Sequence, residues 1–259
     1  MPMIIDTQKL HAIMSRPARL AGPDELRRDG TVFFVGGNLA VNETLETMFE
    51  SFCTESTDLF HLTFGEGESF HRGEELARQI KRNFNVRLMG RLEHAVPPAI
   101  IERVYAAGVD ILDISSAGGG EGLHTVLSGA DRLFPRWSVA STLVLGAAPP
   151  AAVAAEIDIL LHAGVMPLVA LSPRAARYPS EAVAALFGHL ASGWARHHAA
   201  VKPFLPLISL TTPLVPAGTT GRLRGLISRL HDRQWLAASD LRRHLRVKGE
   251  SDSLDSAGL

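Results

Sequence analysis

Short apolar runs alternate along the chain with stretches in which apolar residues return every third or fourth position. Thr31-Val-Phe-Phe-Val35, Asp58-Leu-Phe-His-Leu-Thr-Phe64, Val86-Arg-Leu-Met89 and Val109-Asp-Ile-Leu-Asp-Ile114 are rich in β-branched and aromatic residues and stop at turn residues, which predicts buried strands. Between them Leu45, Met48, Phe49 and Phe52 fall at helical spacing, and further helices are predicted from about Phe70 to Phe84 and from Pro98 to Ala107. The pattern continues with a helix over Leu123 to Leu133, a strand within Trp137 to Gly146, and a helix opened by Pro149-Pro150 and stopped by Gly164. A strand over Val165 to Leu171 and a long helix from Ser180 to about His198 follow. Strands joined by helices of this length lie parallel, because each crossover returns the chain to the same end of the sheet. The expected fold is therefore α/β, an incomplete, TIM-like parallel (β/α) barrel of about six to seven strands.

The ends of the chain read differently. Residues 1–30 predict a helical lead-in broken at Pro17 and Pro23, and Pro203, Pro206 and Pro213 predict an edge or irregular strand over Pro203 to Leu214. Residues 218–249 predict a basic helical region, in which the stretch from Arg222 to Lys248 offers either a solvated face or a docking surface for an acidic partner. Residues 250–259, rich in serine and aspartate, predict a disordered tail. No composition break divides 1–249, so one domain is expected.

Composition narrows the function. A formal net charge of −1 gives no general attraction to nucleic acid or to a membrane surface. No charged start leads into an apolar run, and no apolar stretch reaches the ~18 residues of a membrane span, so a cytoplasmic protein is expected. The single cysteine, Cys53, excludes an internal disulfide and any cysteine-rich metal or iron–sulfur site within this chain.

In parallel sheets chemistry gathers where strands end. Alternation sends Arg91 and Glu93 to one side of their strand, where Arg91 suits a carboxylate or phosphate and Glu93 or the adjacent His94 a proton transfer. Asp113, between Leu112 and Ile114, points into the apolar interior and needs a partner. Arg91, one strand away, is the expected one. His61 reads as a core histidine. The turn Gly65-Glu-Gly-Glu-Ser69 combines a permissive backbone with two carboxylates and can either hold a ligand amine or cap the following helix. No histidine and carboxylate spacing makes a metal site.

Phe60-His-Leu-Thr-Phe-Gly-Glu-Gly-Glu68, Ala106-Ala-Gly-Val-Asp-Ile-Leu-Asp-Ile114 and the strand ending at Gly146 with its following helix and Gly164-Val-Met-Pro167 resemble the radical S-adenosylmethionine superfamily in its biotin-synthase-like branch. The resemblance implies that Gly67 and Glu68 hold the methionyl amine of S-adenosylmethionine, that Ser115 and Ser116 contact its ribose or carboxylate, and that Gly146 borders its adenine. It departs at the cluster loop, where the family's C-x3-C-x2-C spacing falls on Asn38, Asn42 and Leu45. Without thiolates there is no iron–sulfur cluster and no electron source for radical cleavage. The resemblance thus implies a non-radical barrel protein that retains S-adenosylmethionine or a related ligand and pairs with a cluster-bearing homologue. Two further readings stand beside it. One is a metal-independent lyase or transferase in which Arg91 fixes a small anionic substrate and Glu93, Asp113 or His94 moves protons. The other is a scaffold that docks a partner on the basic region.

Overall fold

The computed structural model of the chain describes residues 1–115 and 122–217. Six strands run parallel in chain order: β3 (Val32–Gly36), β4 (Leu59–Thr63), β5 (Arg87–Leu92), β6 (Ile111–Ile114), β7 (Val139–Leu145) and β8 (Met166–Leu171). The helices α2 (Val41–Thr54), α3 (Glu68–Asn83), α4 (Pro98–Ala106), α5 (Leu123–Asp131), α6 (Pro150–His162) and α7 (Ser180–Arg196) follow them in turn. At the open edge β2 (Leu26–Asp29) adds to β3 antiparallel, which completes a sheet of seven strands ordered β2 to β8. This curled sheet does not close, so the fold is an incomplete TIM-like (β/α) barrel.

The lead-in holds more than helix. Besides α1 (Thr7–Ser15), whose N-terminus is capped by the Asp6 carboxylate accepting from the Lys9 amide at 3.0 Å, it contains β2 and a short β1 (Met3–Ile5). β1 pairs antiparallel with β9 (Leu214–Pro216). The segment expected as an irregular strand is instead a 3₁₀ turn at Lys202–Phe204 followed by α8 (Leu205–Thr211). Pro206 stands in the first turn of α8, where the amide it lacks has no helical acceptor, so it starts a helix rather than spoiling a strand. The basic region and the tail lie outside the described residues. Among the described residues no helix is long and apolar enough to cross a membrane.

Partner residues in neighbouring strands share a face of the sheet. Phe60 and Leu88 face the helices, where Phe60 meets Phe84 at 5.1 Å and Phe84 meets Phe49 of α2 at 4.7 Å. Phe60 and Leu88, both fully buried, contribute about 1.5–3 kcal/mol each. The opposite, concave face carries Phe34, His61 and Met89 in one layer, then Gly36, Thr63, Arg91 and Asp113 in the next layer toward the strands' carboxyl ends. The lead-in crosses the end of β3. The Thr63 hydroxyl donates to the Ala21 carbonyl at 2.8 Å, and the Asn38 amide donates to the Pro23 carbonyl at 2.8 Å.

That crossing requires glycine at position 36, where a Cβ would lie 2.2 Å from the Pro23 oxygen. Gly36→Ala must therefore displace the lead-in, and chemical denaturation should show a loss of about 3 kcal/mol or more; a change below ~0.5 kcal/mol would mean that this crossing does not hold the fold.

His61 provides a second stability test. It is fully buried, and burial first, then the charge of Arg91, bring its imidazole down from 6.5 to about 3. Between those values the unfolded chain binds a proton that the folded chain does not, so stability falls as pH is lowered from 6.5 toward 3, by a few kcal/mol in all. His61→Leu removes that contribution while other groups titrate alike in both proteins. The stability difference between wild type and variant should thus shift in favour of the variant below pH 6.5, and parallel pH profiles would refute the assignment.

Candidate functional site

The carboxyl ends of β5, β6 and β7 meet in a buried polar network on the concave face. Arg91 of β5 and Asp113 of β6 are in register, and the Arg91 Nη1 donates to Asp113 Oδ2 at 3.1 Å. The Thr142 hydroxyl of β7 lies 2.8 Å from the same oxygen and 3.0 Å from Oδ1, and donates to this carboxylate. On the other side Arg91 Nη2 donates to the Ser115 hydroxyl at 3.1 Å, just past the end of β6. Asp113 is 0% exposed and the Arg91 side chain 10%, so Arg91 is the member of the pair that retains some exposure. Burial raises the Asp113 pKa against the opposing pull of Arg91 and of the Thr142 hydroxyl. The partnership of Arg91 and Asp113 is the one expected from the sequence. Thr142 was missed, although a hydroxyl inside the apolar strand Val139 to Leu145 asks for a polar partner on the same face.

The other predicted residues do not join this network. Strand β5 ends at Leu92, so alternation no longer fixes Glu93, which is exposed with His94. Both line a separate cavity of about 620 Å³ floored by Phe64, Phe70 and Leu92, to which neither Arg91 nor Asp113 contributes. Glu66 and His94 pair at 3.4 Å on its rim. Gly67, with φ of +56°, is the residue before α3, and Glu68 is the exposed first residue of that helix. Its carboxylate complements the helix dipole, so the Gly-Glu turn is a helix start. Gly146, at φ +99°, makes a tight turn against Ser172 and Ala175 beside a recess of about 270 Å³. Ser116 lies outside the described residues.

Two other charged groups are structural. The buried Asp110 accepts from Lys81 Nζ at 3.0 Å and from the Leu88 amide at 2.9 Å, which ties α3 to the sheet. Glu74 of α3 takes two hydrogen bonds from Arg103 of α4, at 2.9 and 2.6 Å; together with the charge of Arg103 they outweigh burial and lower its pKa. Among the described residues no group of three His, Cys, Asp or Glu side chains could hold a metal ion.

No protein-family model matches the chain, and no curated protein does. Among solved structures it is similar to an HpcH/HpaI aldolase from Desulfitobacterium hafniense, with a TM-score of 0.44 and 15% identity over 73% of this chain and 79% of that one. A likeness at that level says nothing of activity. The family resemblance read from the three motifs is corrected: no family model matches the chain, and the similar structure is that of an aldolase. Glu68 is exposed at the start of α3, Ser115 belongs to the buried network and Gly146 turns beside its own recess; the reading as a non-radical relative of that family falls with the resemblance.

Proposed function

We propose that the chain is a lyase or transferase acting on a small anionic substrate, with Arg91 as the residue that binds the anion. One observation carries the reading: a guanidinium is held at the carboxyl end of a parallel strand, on the concave face, by a carboxylate that is itself wholly buried. A buried ion pair needed only for stability could be replaced, both members together, by apolar side chains with little loss, since desolvation consumes most of what the pair gains. Here Asp113 and Ser115 engage one hydrogen each on Nη1 and Nη2 and fix the plane of the fork. The rest of its five N–H donors remain for a carboxylate or phosphate arriving from the strand ends. In this reading Asp113 is a positioning residue rather than an acid or base, because both its oxygens are already occupied by Arg91 and Thr142. Glu93 and His94, which face a different cavity, take no part in proton transfer at Arg91.

Isothermal titration with oxalate and with inorganic phosphate tests the assignment. Wild type should bind at least one of them. Arg91→Ala should lose about 10- to 100-fold in affinity, the worth of hydrogen bonds to a charged group, and Arg91→Lys should recover only part of it, because an ammonium cannot make the paired contacts of the fork. Asp113→Asn should weaken binding while circular dichroism stays native. Absence of heat from both anions with wild type, or equal affinity in Arg91→Ala, would end the proposal.

A further inference from the structure

His61 lies at the centre of β4, fully buried in the concave layer just beneath Arg91. Its ring packs at 5.1 Å and 53° against Phe34, and Met89 stands beside it on β5. Among the described residues neither Nδ1 nor Nε2 has a hydrogen-bond partner. A buried polar group left unpaired costs about 1–3 kcal/mol, and here two such groups share one ring. An apolar residue would fill the same space without that cost. Its strand position is near that of the anion-binding group: Thr63 is in register with Arg91 and His61 with Met89, so the backbone of His61 lies one strand over and two residues, about 6.6 Å along the strand, before that of Arg91.

The chemistry of the ring defines what would satisfy it. A neutral imidazole offers one N–H donor and one lone-pair acceptor. A hydroxyl, which both donates and accepts, complements it, whereas a second carboxylate would meet only the donor. We propose that His61 binds a hydroxyl of the substrate while Arg91 and Ser115 bind its anionic group, so that the substrate class is a small hydroxy acid. This rests on the reading of Arg91 as the anion-binding residue. His61 here confers specificity and does not act as a base, since an imidazole so hard to protonate is a poor proton acceptor.

The test pairs glycolate with acetate and 3-hydroxybutyrate with butyrate, by titration calorimetry on wild type, His61→Phe and Arg91→Ala. Wild type should bind at least one hydroxy acid tenfold or more tighter than its deoxy counterpart. His61→Phe should bring that pair to within about twofold of each other while the deoxy acid keeps its wild-type affinity, and Arg91→Ala should weaken both members. In ¹⁵N-histidine spectra of wild type, the ring nitrogens of His61 should shift on addition of the preferred hydroxy acid, a readout that stands even where His61→Phe fails to fold. Equal affinity for both members of each pair, discrimination that survives in His61→Phe, or an unmoved His61 signal at saturation overturns the role of His61. In those outcomes Arg91-dependent binding of the acids leaves the anion reading intact. Failure of all four acids and of oxalate and phosphate to bind wild type ends both.

Discussion

The buried pair of Arg91 and Asp113 is the constraint around which the concave face is organised. Two charges moved out of water cost several kcal/mol each, and attraction within a low-dielectric interior offsets that only if the remaining polar atoms are also satisfied. Here they are. Asp113 receives Arg91 on one side and the Thr142 hydroxyl on the other, while Arg91 passes a second hydrogen to Ser115. Three neighbouring strands are thereby stitched together at their carboxyl ends by side chains as well as by their ladders. The burial that raises the Asp113 pKa also makes the pair intolerant of losing either member, since a lone carboxylate or guanidinium there would have no compensating partner.

What brings this network to a usable place is the way the sheet is covered. On the helix-facing side the aromatic cluster of Phe49, Phe60 and Phe84 gives ordinary hydrophobic cohesion. On the concave side, the lead-in lies across the end of β3 and takes up the Thr63 hydroxyl through the Ala21 carbonyl. Thr63 is in register with Arg91, so this contact covers the strand beside the one that carries the guanidinium. Gly36 permits it, because a side chain at that position would occupy the place of the Pro23 carbonyl.

The parts of this arrangement that were legible in the sequence are those governed by local pattern. The runs at Thr31 to Val35, Asp58 to Phe64 and Val109 to Ile114 became β3, β4 and β6, because buried parallel strands are apolar throughout and announce themselves. The partnership of Asp113 with Arg91 followed from an aspartate flanked by Leu112 and Ile114. Other features depended on tertiary context. Leu26–Asp29 reads Leu-Arg-Arg-Asp and is half-buried, so nothing local marks it as the antiparallel edge strand that it is. Glu93 was assigned by extending alternation one residue beyond the last strand position. The Gly67 and Glu68 turn misled more seriously, since a glycine followed by an acid spells a helix N-terminus as readily as a ligand loop, and a few such short matches suggested a family that the comparisons do not bear out.

Asp110 and Asp113 show how position within a strand separates structure from site. Asp110 stands just before β6 and Asp113 within it, and their partners lie on opposite sides of the sheet. Asp110, just before β6, meets Lys81 of α3 and the Leu88 amide on the helix-facing side. Asp113 faces the concave side, one residue from the carboxyl end, and its partner Arg91 is the group that retains some exposure. Equal chemistry in one strand thus yields an anchor for a helix at one end and an oriented cation at the other. The concave face also carries His61, whose two ring nitrogens are unmatched among the described residues, on the neighbouring strand and one layer before Arg91. A polar group without a partner is an expensive thing to keep in a core made of Phe34 and Met89, and its nearness to Arg91 places that cost where a bound molecule can offset it.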